Sequence, residues 1–212
     1  MANVKFADLI TLVTPHLSAD PSEPVVEAAI KRAAIEFCGA SWIWTYLPDA
    51  IDVVAGTQDY DIEIPNGTEL AAVLAVKHAG IPLENRSIDW LNQNIENWRS
   101  EKGTPTNFTQ VDTEQVLLAR VPDTSLTAGL EMEIALQPSV KSKDMPGWIA
   151  TRYQYQIAEG AIGHLMLMAG KPWTNEAQAI PRLEALRSAA MGARESGVSA
   201  INRAPLRTTP QH

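Results

Sequence analysis

The stretch WIATRYQYQIAEGAIGHLMLM, residues 148–168, repeats apolar side chains at the three- and four-residue spacing of one helix face. It is long enough for a helix of about five or six turns. Gly160 and Gly163 weaken this helix locally, but they permit close approach by a neighbouring backbone. The stretch therefore predicts a long helix that packs against other helices. Its expected apolar face comprises Trp148, Ile149, Tyr153, Ile157, Ala161, Leu165 and Met168.

A second helix is expected after the turn at 170–173, from about Asn175 to Arg194. Pro181 should kink it or delay its start, because proline lacks the backbone N–H and clashes with the preceding turn. The segment 196–212 contains two prolines and no acidic residue, so we expect an extended, flexible C-terminal tail. The buried side of the second helix should comprise Ile180, Leu183, Leu186, Ala190 and Ala193.

The N-terminal part of the chain also has a helical pattern. Phe6, Leu9, Ile10, Val13 and Leu17 recur at three- and four-residue steps and predict a first short helix. After the cap and turn residues 18–22, the apolar spacing returns and continues to Cys38. A second N-terminal helix is therefore expected there, with an apolar face made by Val26, Ile30, Ala33 and Phe37.

From Trp42 to about residue 140 the pattern changes to short β-rich segments separated by turn dipeptides. The clearest predicted strands are 107–111, 115–119 and 130–136. A short helix should begin after Ser87, a residue suited to capping a helix N-terminus. About six strands in this space suit a small antiparallel sandwich or barrel.

The predicted fold class is therefore α+β: a helical bundle formed by N- and C-terminal helices, with an inserted antiparallel β-sandwich or barrel domain and an extended tail. We expect N-terminal bundle helices at 1–41, the β domain at 42–140, C-terminal bundle helices at 141–195 and the tail at 196–212.

Composition excludes several classes of function. The net charge is −8; the tail carries +2, which leaves −10 on the remainder and disfavours non-specific binding to nucleic acid. A single cysteine cannot form an internal disulfide, and the first residues lack a signal-peptide pattern, so we expect assembly in a reducing cytoplasm. No apolar run approaches the roughly 20 residues that a membrane helix needs.

The sequence contains no catalytic or metal-binding motif, and we predict no enzyme activity, cofactor or metal site. One alternative places His164 against Cys38 across the predicted bundle, as the imidazole and thiol of a cysteine hydrolase. We expect neither residue to lie in a strained turn or to have an acid that orients it. A buried structural thiol is the simpler interpretation.

Six tryptophans are many for 212 residues. Flat rings exposed on the β domain would suit a carbohydrate-binding module, which is a second alternative. Most of these rings, however, lie at the helix-to-sheet junction or on either side of the long helix. We therefore interpret them as anchors between domains or subunits. The residues expected to pack in this way are Trp42, Trp44, Trp148, Tyr153 and Trp173.

Taken in order along 25–198, these features resemble the head-to-tail adaptor (connector) family of short-tailed bacteriophages, which includes the tail tubular protein A-like proteins. The resemblance depends on the order and spacing of short motifs rather than on a chemical signature. The motifs are AAIEFC (33–38) with Trp42 and Trp44, GTQDYDI (56–62), GIPL (80–83), GTPTNF (103–108), LQP (136–138) and the stretch 159–173.

The resemblance implies a structural virion protein that forms a dodecameric ring between the portal protein and the tail nozzle or tube. Such a ring extends the DNA channel for genome retention and ejection, and DNA passes through it without sequence-specific binding. Family members commonly clasp the portal with their C-terminal segment. That role would fall here on Arg203, Leu206 and Arg207. Within the same structural class, a stopper or tail terminator remains an alternative.

Overall fold

The computed structural model describes residues 2–112 and 114–201, with the backbone alone for 196–201. The chain divides into two compact units. The first, called the helical unit below, comprises the described residues of 1–43 and 144–212. The second, called the β-rich unit, comprises those of 44–143. The fold is mixed α and β, with curled antiparallel sheets.

In the first unit, helices α1 (Glu23–Ser41), α3 (Gly147–Met166) and α4 (Glu176–Ile201) each pack against the other two. Strand β1 (Asn3–Lys5) pairs antiparallel with β11 (Asp144–Pro146) beside the start of α3. Apolar faces at helical spacing account for the packing, because burying them removes them from water. The core includes Ile30, Ala33, Phe37, Ile149, Ile157, Ala161, Leu165 and Leu186.

The first predicted N-terminal helix forms as two 3₁₀ segments, Phe6–Leu12 and Thr14–His16, rather than as an α-helix. Phe6 and Leu9 are buried three residues apart, which matches the three residues per turn of this tighter helix. Pro15 lies in the second segment and cannot donate the backbone hydrogen bond that an α-helix needs there.

Helix α4 differs from its prediction in three ways. It begins at Glu176, so Pro181 lies inside the helix and does not delay its start. It continues beyond Arg194 to Ile201, because the next proline is Pro205. Residues 196–201, assigned above to the tail, are therefore helical. Ile180 was expected to be buried but is 55% exposed, since Ala179 occupies the inward position on this turn.

The described residues of the second unit form two sheets. One has the strand order β2-β10-β5-β6, with β3 also paired to β10, and the other has the order β4-β9-β8-β7. Pairing is antiparallel except between β7 and β8. Residues from both sheets contribute to one apolar cluster, which includes Val76, Phe108, Leu118 and Ile134. The strands are β2 (Thr45–Tyr46), β3 (Ile51–Val53), β4 (Asp59–Asp61), β5 (Thr68–His78), β6 (Ile81–Pro82), β7 (Glu84–Asn85), β8 (Asn107–Gln110), β9 (Gln115–Ala119) and β10 (Leu126–Pro138).

The short helix expected after Ser87 is confirmed as α2 (Ile88–Asn94). The Ser87 side chain accepts a hydrogen bond from the Trp90 backbone N–H at 3.2 Å, as an N-cap residue should. Leu91 and Trp98 are buried in a small cluster with Ala119, which anchors this segment to strand β9. The capped helix is thus part of the β-rich unit.

Candidate assembly surfaces

Gly160 and Gly163 of α3 lie where side chains of the neighbouring helices approach closely. A Cβ atom added at Gly160 would lie 2.5 Å from Cδ2 of Leu186 and 3.1 Å from Cβ of Ala33. One added at Gly163 would lie 2.9 Å from Cγ of Leu183. The sequence predicted close approach by a neighbouring backbone, but the nearest atoms are mostly side-chain atoms; only at Gly163 is a backbone atom among them, the Ala179 carbonyl oxygen at 3.2 Å. This packing leaves no room for larger side chains between the helices.

Trp42 caps the C-terminal end of α1 in a left-handed conformation, with φ at 52°. The Arg194 guanidinium of α4 lies over its indole ring, 3.4 Å from the centroid. A cation on the face of a tryptophan is attracted by the ring quadrupole. This contact joins the end of α1 to the C-terminal half of α4.

Within the first unit, Tyr153 and Trp148 lie on α3. Tyr153 is buried, and its ring centroid is 4.8 Å from that of Phe37 on α1. Trp148 is half-buried. Trp173, also half-buried, lies in the turn between α3 and α4, and its indole N–H has no hydrogen-bond partner in the described part of the chain. The role of these side chains as anchors between subunits stays a prediction.

Trp44 belongs to the β-rich unit. It is half-buried against the apolar cluster shared by the two sheets, and its carbonyl accepts a hydrogen bond from the Leu136 N–H at 2.8 Å. All six tryptophans lie within the described residues, and each is at least partly buried. Arg86 and Arg99 cover the rings of Trp90 and Trp98, respectively. Covered rings do not form the open stacking surface that sugar binding requires.

His164 and Cys38 are both buried, but the contact recorded for His164 is with a carboxylate. Its Nε2 atom lies 3.2 Å from Oε2 of Glu36, at ion-pair distance but without hydrogen-bond alignment. Burial lowers the pKa of His164, Glu36 opposes that shift, and Arg32 and Arg187 reinforce it. The imidazole is therefore mostly neutral at pH 7.

Burial raises the pKa of the Cys38 thiol to about 12. At pH 7 this group is a neutral thiol, which is a poor nucleophile. The buried, neutral thiol therefore gives no support to the cysteine-hydrolase alternative. In the described residues no group of three or more His, Cys, Asp or Glu side chains is placed to hold a metal ion. None of the described helices is both long and apolar enough to span a membrane.

The proposed portal-contact residues Arg203, Leu206 and Arg207 lie outside the described residues. The structure does, however, show which apolar side chains of the helical unit are exposed and could contact a partner. They include Tyr155, Leu167, Ile180 and Met191. The exposure of these four side chains was not predicted from the sequence. The exposure of Ile180 could have been predicted from the helical spacing. Ala179, not Ile180, lies on the same face as the buried Leu186, Ala190 and Ala193.

The contacts described above are packing contacts, and the exposed apolar side chains suit docking to other macromolecules. Such features are expected of a protein that assembles with other macromolecules. A family model described as SU10 adaptor protein matches residues 4–210. The chain belongs to this family, whose members are structural components of the bacteriophage particle with a head-to-tail adaptor role. No curated protein matches the chain.

Proposed function

We propose that this chain is the subunit of a ring, dodecameric as the resemblance implies, that lies between the portal and the tail nozzle or tube. The observation that carries the proposal is the adaptor family match over residues 4–210. Such a ring extends the DNA channel, retains the packaged genome and allows its ejection. Its subunits assemble in the cytoplasm of the bacterial host before incorporation into the virion.

The two units have separate roles in this proposal. The helices of the first unit form the bundle that surrounds the channel, and the β-rich unit, a small sandwich, faces the tail. Support comes from the division of the chain and from exposed apolar side chains on both units, such as Tyr155 on α3 and Leu47 after β2. Neighbouring subunits and the tail protein would cover these side chains and remove them from water.

The C-terminal segment of the chain supplies the contact with the portal in this proposal. Segment 202–212 contains two cationic residues, Arg203 and Arg207, on either side of Leu206. The guanidinium groups would bind acidic side chains of the portal, and Leu206 would enter an apolar notch. The half-buried Trp148 and Trp173 would support contacts between neighbouring subunits.

DNA passage fits the charge of the chain. Residues other than 196–212 carry a net charge of −10, against +2 on that segment. Acidic side chains that line a channel repel the phosphate backbone and so keep the genome from adhering to the wall. Replacing several lumen acids by lysine should therefore slow genome ejection, whereas unchanged ejection would contradict a repulsive channel.

The test is electron microscopy of the purified chain mixed with its cognate portal, compared with the chain mixed with tail tube. We expect a ring on the portal and none on the tube alone. The chain truncated after Ile201 should lose portal binding while keeping its fold, and Leu206→Ser should weaken it. Thr209→Ser is the matched control in the same segment. Binding to the tail tube alone would indicate a stopper or tail terminator instead.

A further inference from the structure

Helix α4 carries apolar side chains on two different faces, about 100° apart around the helix. Its inner face packs into the helical unit through Ala179, Leu186 and Ala190. On the outer face, Ile180 is 55% exposed and Met191 is 49% exposed. A helix with apolar residues outside its core face has a second surface that can be covered by a partner.

Two charged residues lie between these apolar side chains. The series Ile180, Glu184, Arg187, Met191 has spacings of four, three and four residues, which place all four side chains on one stripe of the helix. Glu184 and Arg187 are exposed, and neither forms an ion pair with another described residue. The stripe thus offers an apolar group at each end with one acid and one base in the middle.

This arrangement is complementary to itself when it is reversed. Ile180 and Met191 are equally far from the point midway between residues 185 and 186, and so are Glu184 and Arg187. A second α4, running antiparallel across a two-fold axis at that point, would place Ile180 opposite Met191. It would also place Glu184 opposite Arg187, twice. A stripe with two acids or two bases in the middle would repel its own copy.

We infer that the unassembled chain forms a symmetric dimer through the outer face of α4, in which a second copy covers Ile180 and Met191. The inference goes beyond the proposed function and does not rest on it, because it concerns the chain before it meets any other virion protein. The isologous contact differs from the heterologous contact of a ring, which joins two different faces. The dimer is therefore a separate state of the chain.

Charges near the two ends of the helix limit how far the contact between the two copies extends. The acids Glu176 and Glu195 would also face each other, but they lie about 14 Å from the axis. Helices that cross at about 20° to 50° have diverged at that distance, so the repulsion is weak. One helix face is smaller than a standard interface of about 1,600 Å², and we expect a dissociation constant on the order of 10 to 100 µM.

Sedimentation equilibrium of the full chain, from about 1 µM to about 1 mM, measures the mass. We expect it to rise to twice the chain mass of 23.1 kDa. Glu184→Arg and Arg187→Glu should each raise the dissociation constant at least about tenfold, because each places like charges opposite each other twice. Circular dichroism and thermal midpoints verify that both exposed-site variants are folded.

Because the proposed dimer is symmetric, a second charge reversal should restore the dimerisation that a single reversal abolishes. The double variant Glu184→Arg/Arg187→Glu should dimerise as the natural chain does. An equimolar mixture of the two single variants should form a heterodimer, although neither variant dimerises alone, since the mixture restores both opposite-charge pairs. Glu101→Arg, the same charge change at an exposed site of the β-rich unit, is the control and should leave the dimer unchanged.

Four outcomes would overturn the inference: a monomer at all concentrations, single variants that dimerise normally, a double variant without rescue, or direct growth to a larger ring. Portal binding by the same preparations is measured separately. A chain that binds portal but never dimerises disproves the α4 contact alone. A chain that dimerises but never binds portal disproves the adaptor assignment alone.

Discussion

Arg194 lies 3.4 Å above the ring centroid of Trp42, so a side chain near the end of α4 is stacked on the residue that caps α1. Trp42 holds a positive φ of 52°, a conformation that costs a non-glycine residue free energy. The contact with Arg194 contributes to offsetting that cost. It also connects the helix that leads to the C-terminal segment with the helix that leads to the β-rich unit.

Replacing Arg194 by Ala should lower the free energy of unfolding by about 0.5–2 kcal/mol, because the cation on the ring face is lost. A double-mutant cycle with Trp42→Leu, measured by chemical denaturation, isolates the contact from the lost burial of each side chain. A coupling free energy near zero would mean that the stacked geometry does not stabilise the fold.

At Gly160→Ala the added Cβ would overlap Leu186 and press on Ala33, an overpacking cost of about 1–3 kcal/mol that exceeds the gain in helix propensity, so the variant should be less stable. Gly192→Ala is the matched control on α4, where an added Cβ meets no atom of the described residues within 4 Å. Its higher helix propensity should stabilise the chain by about 0.5–1 kcal/mol. Thermal midpoints of the two variants should therefore move in opposite directions, and parallel shifts would contradict the described packing.

Stability should decrease as the pH falls below about 6.5, the ordinary pKa of histidine, because of His164. Burial lowers its pKa in the folded chain; Glu36 opposes this shift, while Arg32 and Arg187 reinforce it. The unfolded chain therefore takes up the proton first on acidification, and protonation favours unfolding. Above that pH the imidazole is neutral in both states and its contribution is constant.

Unfolding measured between about pH 5 and pH 8 checks this dependence. His164→Gln should flatten the acid side of the curve. Glu36→Gln should steepen it, because it removes the carboxylate that favours the protonated imidazole. An unchanged slope in both variants would show that His164 does not control the acid sensitivity.

Cys38 should not react with an aromatic disulfide reagent in the native chain at pH 8, because burial raises its pKa to about 12. In denaturant the thiol should react fully. Cys38→Ala should leave portal binding unchanged, which further separates the structural role of this residue from catalysis. Rapid native labelling would disagree with the described burial.

Periodic elements were predictable from the sequence because burial imposes a clear pattern on them. Helix α3, strand β9 and the Ser87 cap all follow local rules, and each lies where it was expected. The inner and outer faces of α4 were harder to separate. Its apolar residues lie on both sides, and Ala179 competes with Ile180 for the buried position.

Other features depended on contacts far apart in sequence. The N-terminal residues adopt 3₁₀ geometry against α1 and α3, although their spacing also suited an α-helix. The pairing of His164 with Glu36 joins residues on two helices, and no local motif marks it. The portal-contact prediction at Arg203, Leu206 and Arg207 stays a prediction, since these residues lie outside the described part of the chain.

The length of α4 has a mechanical consequence. Its 26 residues form a rod about 39 Å long that ends at Ile201, directly before segment 202–212. A load applied along the axis of α4 would be resisted by its backbone hydrogen bonds and by its contacts with α1 and α3. Tension between capsid and tail would thus act on a packed helix rather than on a loop that extends easily.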